Sequence, residues 1–134
     1  MDKTLHGGCL CGKVTFALNN NFKKFYFCHC KQCQQLTGSA FAANLFTSPD
    51  NLQWLSGDTD IQRYEHPARD FSKAFCCHCG SALPIVTKNG RALLVPAGSI
   101  TGEPSLMPQA NIFRGEEACW LAAGTEAESV EAFP

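Results

Sequence analysis

Phe75-Cys76-Cys77-His78-Cys79-Gly80 decides how the rest of this chain is read. Two cysteines separated by two residues and followed by glycine form a knuckle, a tight turn that aims both sulfurs at one point, and glycine accepts the positive φ such a turn demands. A knuckle supplies two ligands, whereas a closed tetrahedral site needs four. Gly8-Cys9-Leu10-Cys11-Gly12, near the other end of the chain, is the natural donor of the second pair. Cys9, Cys11, Cys76 and Cys79 are thus expected to hold a structural zinc that staples an N-terminal strand to one in the second half of the chain. Zinc of this kind contributes about 10 to 16 kcal/mol of apparent binding energy to folding.

A third cluster, Cys28-His29-Cys30-Lys31-Gln32-Cys33, reads differently. It offers three thiolates with no obvious partner pair, and a catalytic zinc keeps three protein ligands and leaves its fourth position to water or substrate. The alternative is a second closed site completed by His29, His66, His78 or Cys119. Cys77 is expected as a buried strand residue, since in extended chain it points away from its neighbours. Cys119, beside Trp120 in an apolar segment, is expected in the core. His29 and His78, each lying between cysteines, are expected to turn away from the metal and towards the surface.

The nine cysteines also admit a disulfide scaffold, but an odd count and a polar start, Met1-Asp-Lys-Thr-Leu-His6, with no apolar export run, speak against it. Reduced thiols in this setting point to the cytoplasm. With 134 residues the chain suits one domain, and 45% hydrophobic residues suit a packed core. Eleven basic residues against twelve acidic ones, without a basic cluster, disfavour nucleic acid as a partner. No apolar stretch is long enough to span a membrane.

Val14, Phe16 and Leu18 alternate with polar or small residues, so the first cysteine pair opens a half-buried strand. Phe22 to Phe27 reads as a strand running into Cys28, and Lys31 to Leu36 as one short helical turn. Further strands are expected at 40–46, 52–55, 61–65, 71–75, 82–87, 91–95 and 109–113, broken by turn-forming runs. Pro84 demotes its segment to a sheet edge, and Asn89-Gly90 between two apolar runs signals a hairpin. Short strands at near-regular intervals argue for an all-β fold. Residues 1–124 are taken as the domain and the acidic residues 125–134 as a frayed tail.

Taken together, Gly8-Cys-x-Cys-Gly12, Cys28-His-Cys-x-x-Cys33, Thr37-Gly-Ser-Ala-Phe41, Phe75-Cys-x-x-Cys-Gly-Ser81, Ala97-Gly-Ser99 and Trp120 resemble the glutathione-dependent formaldehyde-activating enzyme family, which includes centromere protein V. The resemblance covers about residues 5 to 122. It implies a single all-β domain of the β-tent type, built of short antiparallel strands, with structural zinc on Cys9, Cys11, Cys76 and Cys79. It also implies a second zinc on Cys28, Cys30 and Cys33 that meets the substrate. The implied activity is that of a carbon-sulfur lyase on a small thiol or thiol-aldehyde adduct such as S-(hydroxymethyl)glutathione, formed from glutathione and formaldehyde. The sequence departs from the family at Gln34, where Arg is common, and at Ile100-Thr101, where Leu-Asp is usual; both departures bear on the choice of substrate. A different class of reading is a zinc-stapled binding module without catalysis, which recognises a protein or a small thiol through its β surface and through exposed aromatics such as Trp54, Tyr64 or Phe71.

Overall fold

The computed structural model of the chain describes residues 3–134. Twelve short strands dominate it: β1 (Thr4–Gly8), β2 (Thr15–Asn19), β3 (Lys24–Cys28), β4 (Ala42–Thr47), β5 (Gln53–Ser56), β6 (Ile61–Glu65), β7 (Ser72–Cys76), β8 (Ala82–Leu83), β9 (Ile85–Val86), β10 (Leu93–Pro96), β11 (Ile100–Thr101) and β12 (Ala110–Ile112). One short α-helix, α1 (Lys31–Thr37), lies among them, and a second, α2 (Leu121–Glu126), follows the last strand. The all-β class read from strand spacing is the class observed.

Three sheets share one core. Their strand orders are β11-β1-β2-β5, β12-β3-β4-β10-β9 and β6-β7-β8. Val14, Phe16, Leu45, Leu83, Leu93 and Val95 are sealed from water in a common apolar cluster, and Trp54 meets Phe16 edge-on with ring centroids 5.8 Å apart. Burying apolar surface of this size is the main force drawing short strands together, because none could persist alone.

Pro84 explains how one segment serves two sheets. It stands between β8, at the edge of the three-stranded sheet, and β9, at the edge of the five-stranded one. Lacking an N–H, it cannot continue either ladder, so the chain leaves one sheet and enters the other there. The Asn89-Gly90 hairpin joins β9 to β10, with Gly90 at φ 75° and its N–H donated to the Thr87 carbonyl at 2.8 Å.

One pairing departs from the expected antiparallel pattern. β12 runs parallel to β3, with Ile112 opposite Cys28, which the long excursion from β11 makes possible. Two short strands, β1 and β11, also lie where only polar or turn-like residues suggested loops. Gly7 of β1 sits against Phe16 and Ser99: a Cβ there would lie 2.4 Å from the Phe16 ring and 2.5 Å from the Ser99 carbonyl oxygen. The glycine ahead of the first cysteine pair and the Ala97-Gly-Ser99 run thus touch in space. At the C-terminus α2 extends to Glu126, across the boundary drawn at residue 124.

Candidate metal centres

Each cysteine pair of the first cluster sits in a turn closed by a glycine of positive φ. After Cys9 and Cys11 the chain reverses with Gly12 at φ 81° and its N–H on the Cys9 carbonyl; after Cys76 and Cys79 it does so with Gly80 at φ 77° and its N–H on the Cys76 carbonyl. The four sulfurs lie within 4.8 Å of one another. Cys9 and Cys11 stand 3.5 Å apart and Cys11 and Cys76 3.8 Å apart, close to the edge of about 3.8 Å expected of a tetrahedron with metal-sulfur bonds of about 2.3 Å. They are too far apart for disulfides, and all nine cysteines are free.

Backbone amides prepare these sulfurs to carry charge. Val14 N–H donates to Cys9 Sγ at 3.3 Å and His78 N–H to Cys76 Sγ at 3.4 Å. The Ser81 hydroxyl joins the two turns, meeting Cys79 Sγ at 3.3 Å while accepting the Leu10 N–H at 2.9 Å. That hydroxyl, then the Ser81 and Cys11 amides, pull the Cys79 thiol down to about 5. Cys11 feels the opposite balance: the Lys13 amide lowers it, but desolvation and the sulfurs of Cys9, Cys76 and Cys79 outweigh that pull and hold it at about 12. Four thiols this close cannot all ionise unaided, and a dication removes the conflict. The donor set fits zinc.

The second cluster is built at a strand-helix junction. Cys28 closes β3, Cys30 is the N-cap of α1, and Cys33 lies in that helix's first turn, where its N–H donates to Cys30 Sγ at 3.4 Å. Cys28 and Cys30 sulfurs are 3.5 Å apart, and all three lie within 4.8 Å of one another. Burial raises the Cys28 and Cys33 thiols, and neighbouring sulfurs raise Cys33 further. Three crowded sulfurs, with the Cys28 and Cys33 thiols raised, also suit a soft, thiophilic cation. None of the other candidates, His29, His66, His78 or Cys119, joins this group among the described residues. The set stays at three.

The junction is braced from β12 and the turn beyond it. His29 donates its backbone N–H to Ile112 O at 3.0 Å, and its Nε2 bonds Asn111 Oδ1 at 2.9 Å. Gln34, the residue that departs from the family pattern, donates to the carbonyls of His29 at 2.7 Å and Glu116 at 3.0 Å. Its amide therefore fastens the cysteine loop rather than facing a ligand. His29 corrects the surface expectation: it is 1% exposed, tilted against the Phe41 ring at 5.1 Å, and its Nδ1 has no partner among the described residues. An imidazole next to a metal-type loop reads as polar in sequence, but here Phe41 covers it.

Other expectations are also corrected. Cys77 is exposed, because β7 ends at Cys76 and the turn breaks the strand alternation that would have sent it inward. Cys119 and Trp120 are exposed too, since no sheet covers the segment leading into α2. His78 does turn away from the metal-type cluster, pairing through Nε2 with Asp60 at 3.0 Å. Of the three aromatics, Tyr64 is exposed, Trp54 packs on the core, and Phe71 faces a pocket. Sequence reasoning missed that pocket, a space of about 320 Å³ beside Cys33 into which Lys73 also projects.

The fold and these clusters define a small all-β protein with two cysteine sites suited to metal. The model of the glutathione-dependent formaldehyde-activating enzyme family matches residues 4–116, and the chain belongs to that family. The crystal structure of a Rhodobacter sphaeroides protein is similar in fold, with a TM-score of 0.58 at 22% identity, covering 79% of this chain and 98% of that one. No curated protein matches the sequence significantly. No helix among the described residues is long and apolar enough to cross a membrane.

Proposed function

We propose that the chain is a zinc-dependent carbon-sulfur lyase acting on a thiol-aldehyde adduct of the S-(hydroxymethyl)glutathione kind, with Cys28, Cys30 and Cys33 as ligands of an open zinc. Cys9, Cys11, Cys76 and Cys79 hold a structural zinc. The observation that carries this reading is the three-sulfur cluster with no fourth ligand among the described residues, set beside a pocket that Cys33 helps to line. Family membership supports the formaldehyde and glutathione chemistry.

The reaction breaks the C–S bond of a hemithioacetal: sulfur keeps the electron pair, the hydroxyl proton is released, and the carbonyl forms. A zinc held by Cys28, Cys30 and Cys33 would supply Lewis acidity and would lower the pKa of a thiol that reached it. The protein's own residues hold the three sulfurs in place. Asn111 and Ile112 hold His29, Gln34 ties its carbonyl to the Glu116 turn, and the N-cap bond locks Cys30 to Cys33. A loop braced in this way would present three sulfurs to a metal and no fourth side chain among the described residues. Free thiols throughout suit the reducing cytoplasm.

X-ray absorption at the zinc edge tests the proposal. Adding glutathione to zinc-loaded protein is expected to raise the mean sulfur coordination of the zinc. An unchanged shell would overturn the thiol-ligand role and favour a binding module with two structural sites.

A further inference from the structure

We infer that the pocket beside Cys33 selects thiols, or their aldehyde adducts, with an apolar body and a single carboxylate, and that Lys73 is the residue that reads the carboxylate. The inference rests on the open-zinc reading above for where the sulfur goes, and on the pocket itself for the rest.

The walls are mostly apolar, with Thr37, Asn44 and Ser72 among the lining residues. Leu36, Phe41, Phe71, Leu83, Ile85 and Leu94 all contribute to a space of about 320 Å³, large enough for a drug-sized or metabolite-sized ligand. Among the described residues that line it, Lys73 is the single charged side chain and none is acidic. Glutathione carries two carboxylates and an ammonium, whereas the described lining offers one cation and no acidic partner, so one of its three charges finds a counter-charge on the wall. Charges left without a counter-charge beside a largely apolar wall weaken binding, so glutathione is held less tightly than a ligand with one negative charge. A ligand with one negative charge and an otherwise apolar body meets no such penalty.

Lys73 is placed for the task. It projects from β7, is half-buried, and donates from Nζ to the Leu36 carbonyl at 2.8 Å. That bond occupies one of three ammonium donors and fixes the side chain at the end of α1. Lys73 makes no ion pair among the described residues, where the three pairs involve other groups. Leu36 and Cys33 are one helical turn apart on α1, about 4.5 Å along its axis, so cation and sulfur site flank the same short stretch of wall. Cys33, the member of the sulfur cluster that lines the pocket, and Lys73, a cation without an ion pair among the described residues, thus stand near each other on a largely apolar wall. Gln34 fits this account, since its amide is occupied by backbone carbonyls and adds no second charge to the pocket.

The test uses four probes on the zinc-loaded chain: 6-mercaptohexanoate, 6-mercaptohexanol, hexanoate and glutathione. Calorimetry reads affinity, and visible absorption of cobalt-substituted protein reads entry of sulfur into the metal shell. The expectation is that 6-mercaptohexanoate binds at least about tenfold more tightly than glutathione, the scale of one well-placed charged contact. Lys73→Gln should cost 6-mercaptohexanoate and hexanoate about tenfold while leaving 6-mercaptohexanol unchanged. Lys73→Arg should restore the preference, which separates loss of charge from loss of the Leu36 bond. Glutathione binding as tightly as 6-mercaptohexanoate, or a carboxylate preference indifferent to Lys73→Gln, overturns the inference while leaving the metal reading intact. If no thiol alters the cobalt spectrum but hexanoate still binds through Lys73, the pocket assignment stands and the open-zinc reading falls. Failure of every probe to bind overturns the inference.

Discussion

Cys11 and Cys76 are 65 positions apart in the chain, yet their sulfurs stand 3.8 Å from each other. Each thiol is delivered by its own glycine-closed turn. The first prediction follows from what joins them. Structural zinc of about 10 to 16 kcal/mol exceeds or matches the whole stability of an ordinary domain, about 5 to 15 kcal/mol. Cys76→Ser, at a position fully buried in the core, is therefore expected to abolish cooperative unfolding and to leave the chain without its first metal. Circular dichroism melting with elemental analysis checks both, and a strong chelator should reproduce the effect on the unmodified chain.

The second cluster should behave otherwise. Cys28, Cys33 and Ala42 form a small apolar group apart from the main core, with Cys30 packed against it from a half-buried position. Cys30→Ala is expected to reduce bound zinc from two per chain to one while lowering stability by only about 1 to 2 kcal/mol, as for loss of a helix N-cap. A melt that stays cooperative, with half the zinc, is the expected result. Collapse of the fold would mean that both sites are staples.

Much of this architecture is legible in the sequence because it is local. A Cys-x-x-Cys-Gly run, an Asn-Gly turn and a proline inside a strand each fix a backbone shape within a few residues, and Gly80, Gly90 and Pro84 behave as those rules require. The remainder depends on partners distant in sequence. Cys77 is exposed because the turn overrides strand parity, His29 is buried because Phe41 lies over it, and Lys73 becomes a pocket residue only when β7 packs beside α1. The parallel pairing of β12 with β3 is likewise invisible to periodicity, since a strand's alternation does not reveal its neighbour's direction.

His29 and Asn111 supply a third prediction. Their 2.9 Å bond is partly buried, and it ties the cysteine loop to β12. Asn111→Leu removes the acceptor and leaves a buried imidazole nitrogen without a partner, at a cost of about 1 to 3 kcal/mol. The melting temperature should fall accordingly, and zinc affinity at the second cluster should fall with it, because the loop loses its brace. A competition titration with a chromophoric chelator reads the affinity; an unchanged value would show that the brace is irrelevant to the site.

Acid should strip the two sites in a definite order. A metal-bound cysteine is a thiolate, so protons compete with zinc, and they compete best where the metal-free thiol holds its proton most strongly. At the second cluster burial raises Cys28 and Cys33, whereas in the first cluster Ser81 holds Cys79 at about 5. The raised Cys11 works against the first site, but that site has four sulfurs against three and gains amide bonds on Cys9 and Cys76. As the solution is acidified from mildly alkaline conditions, the second zinc is expected to leave at a higher pH than the first. The fold should persist until the first follows. Stepwise dialysis with metal analysis and circular dichroism at each pH gives the order directly, and simultaneous loss, or loss of the first zinc before the second, would contradict the different proton affinities assigned to the clusters.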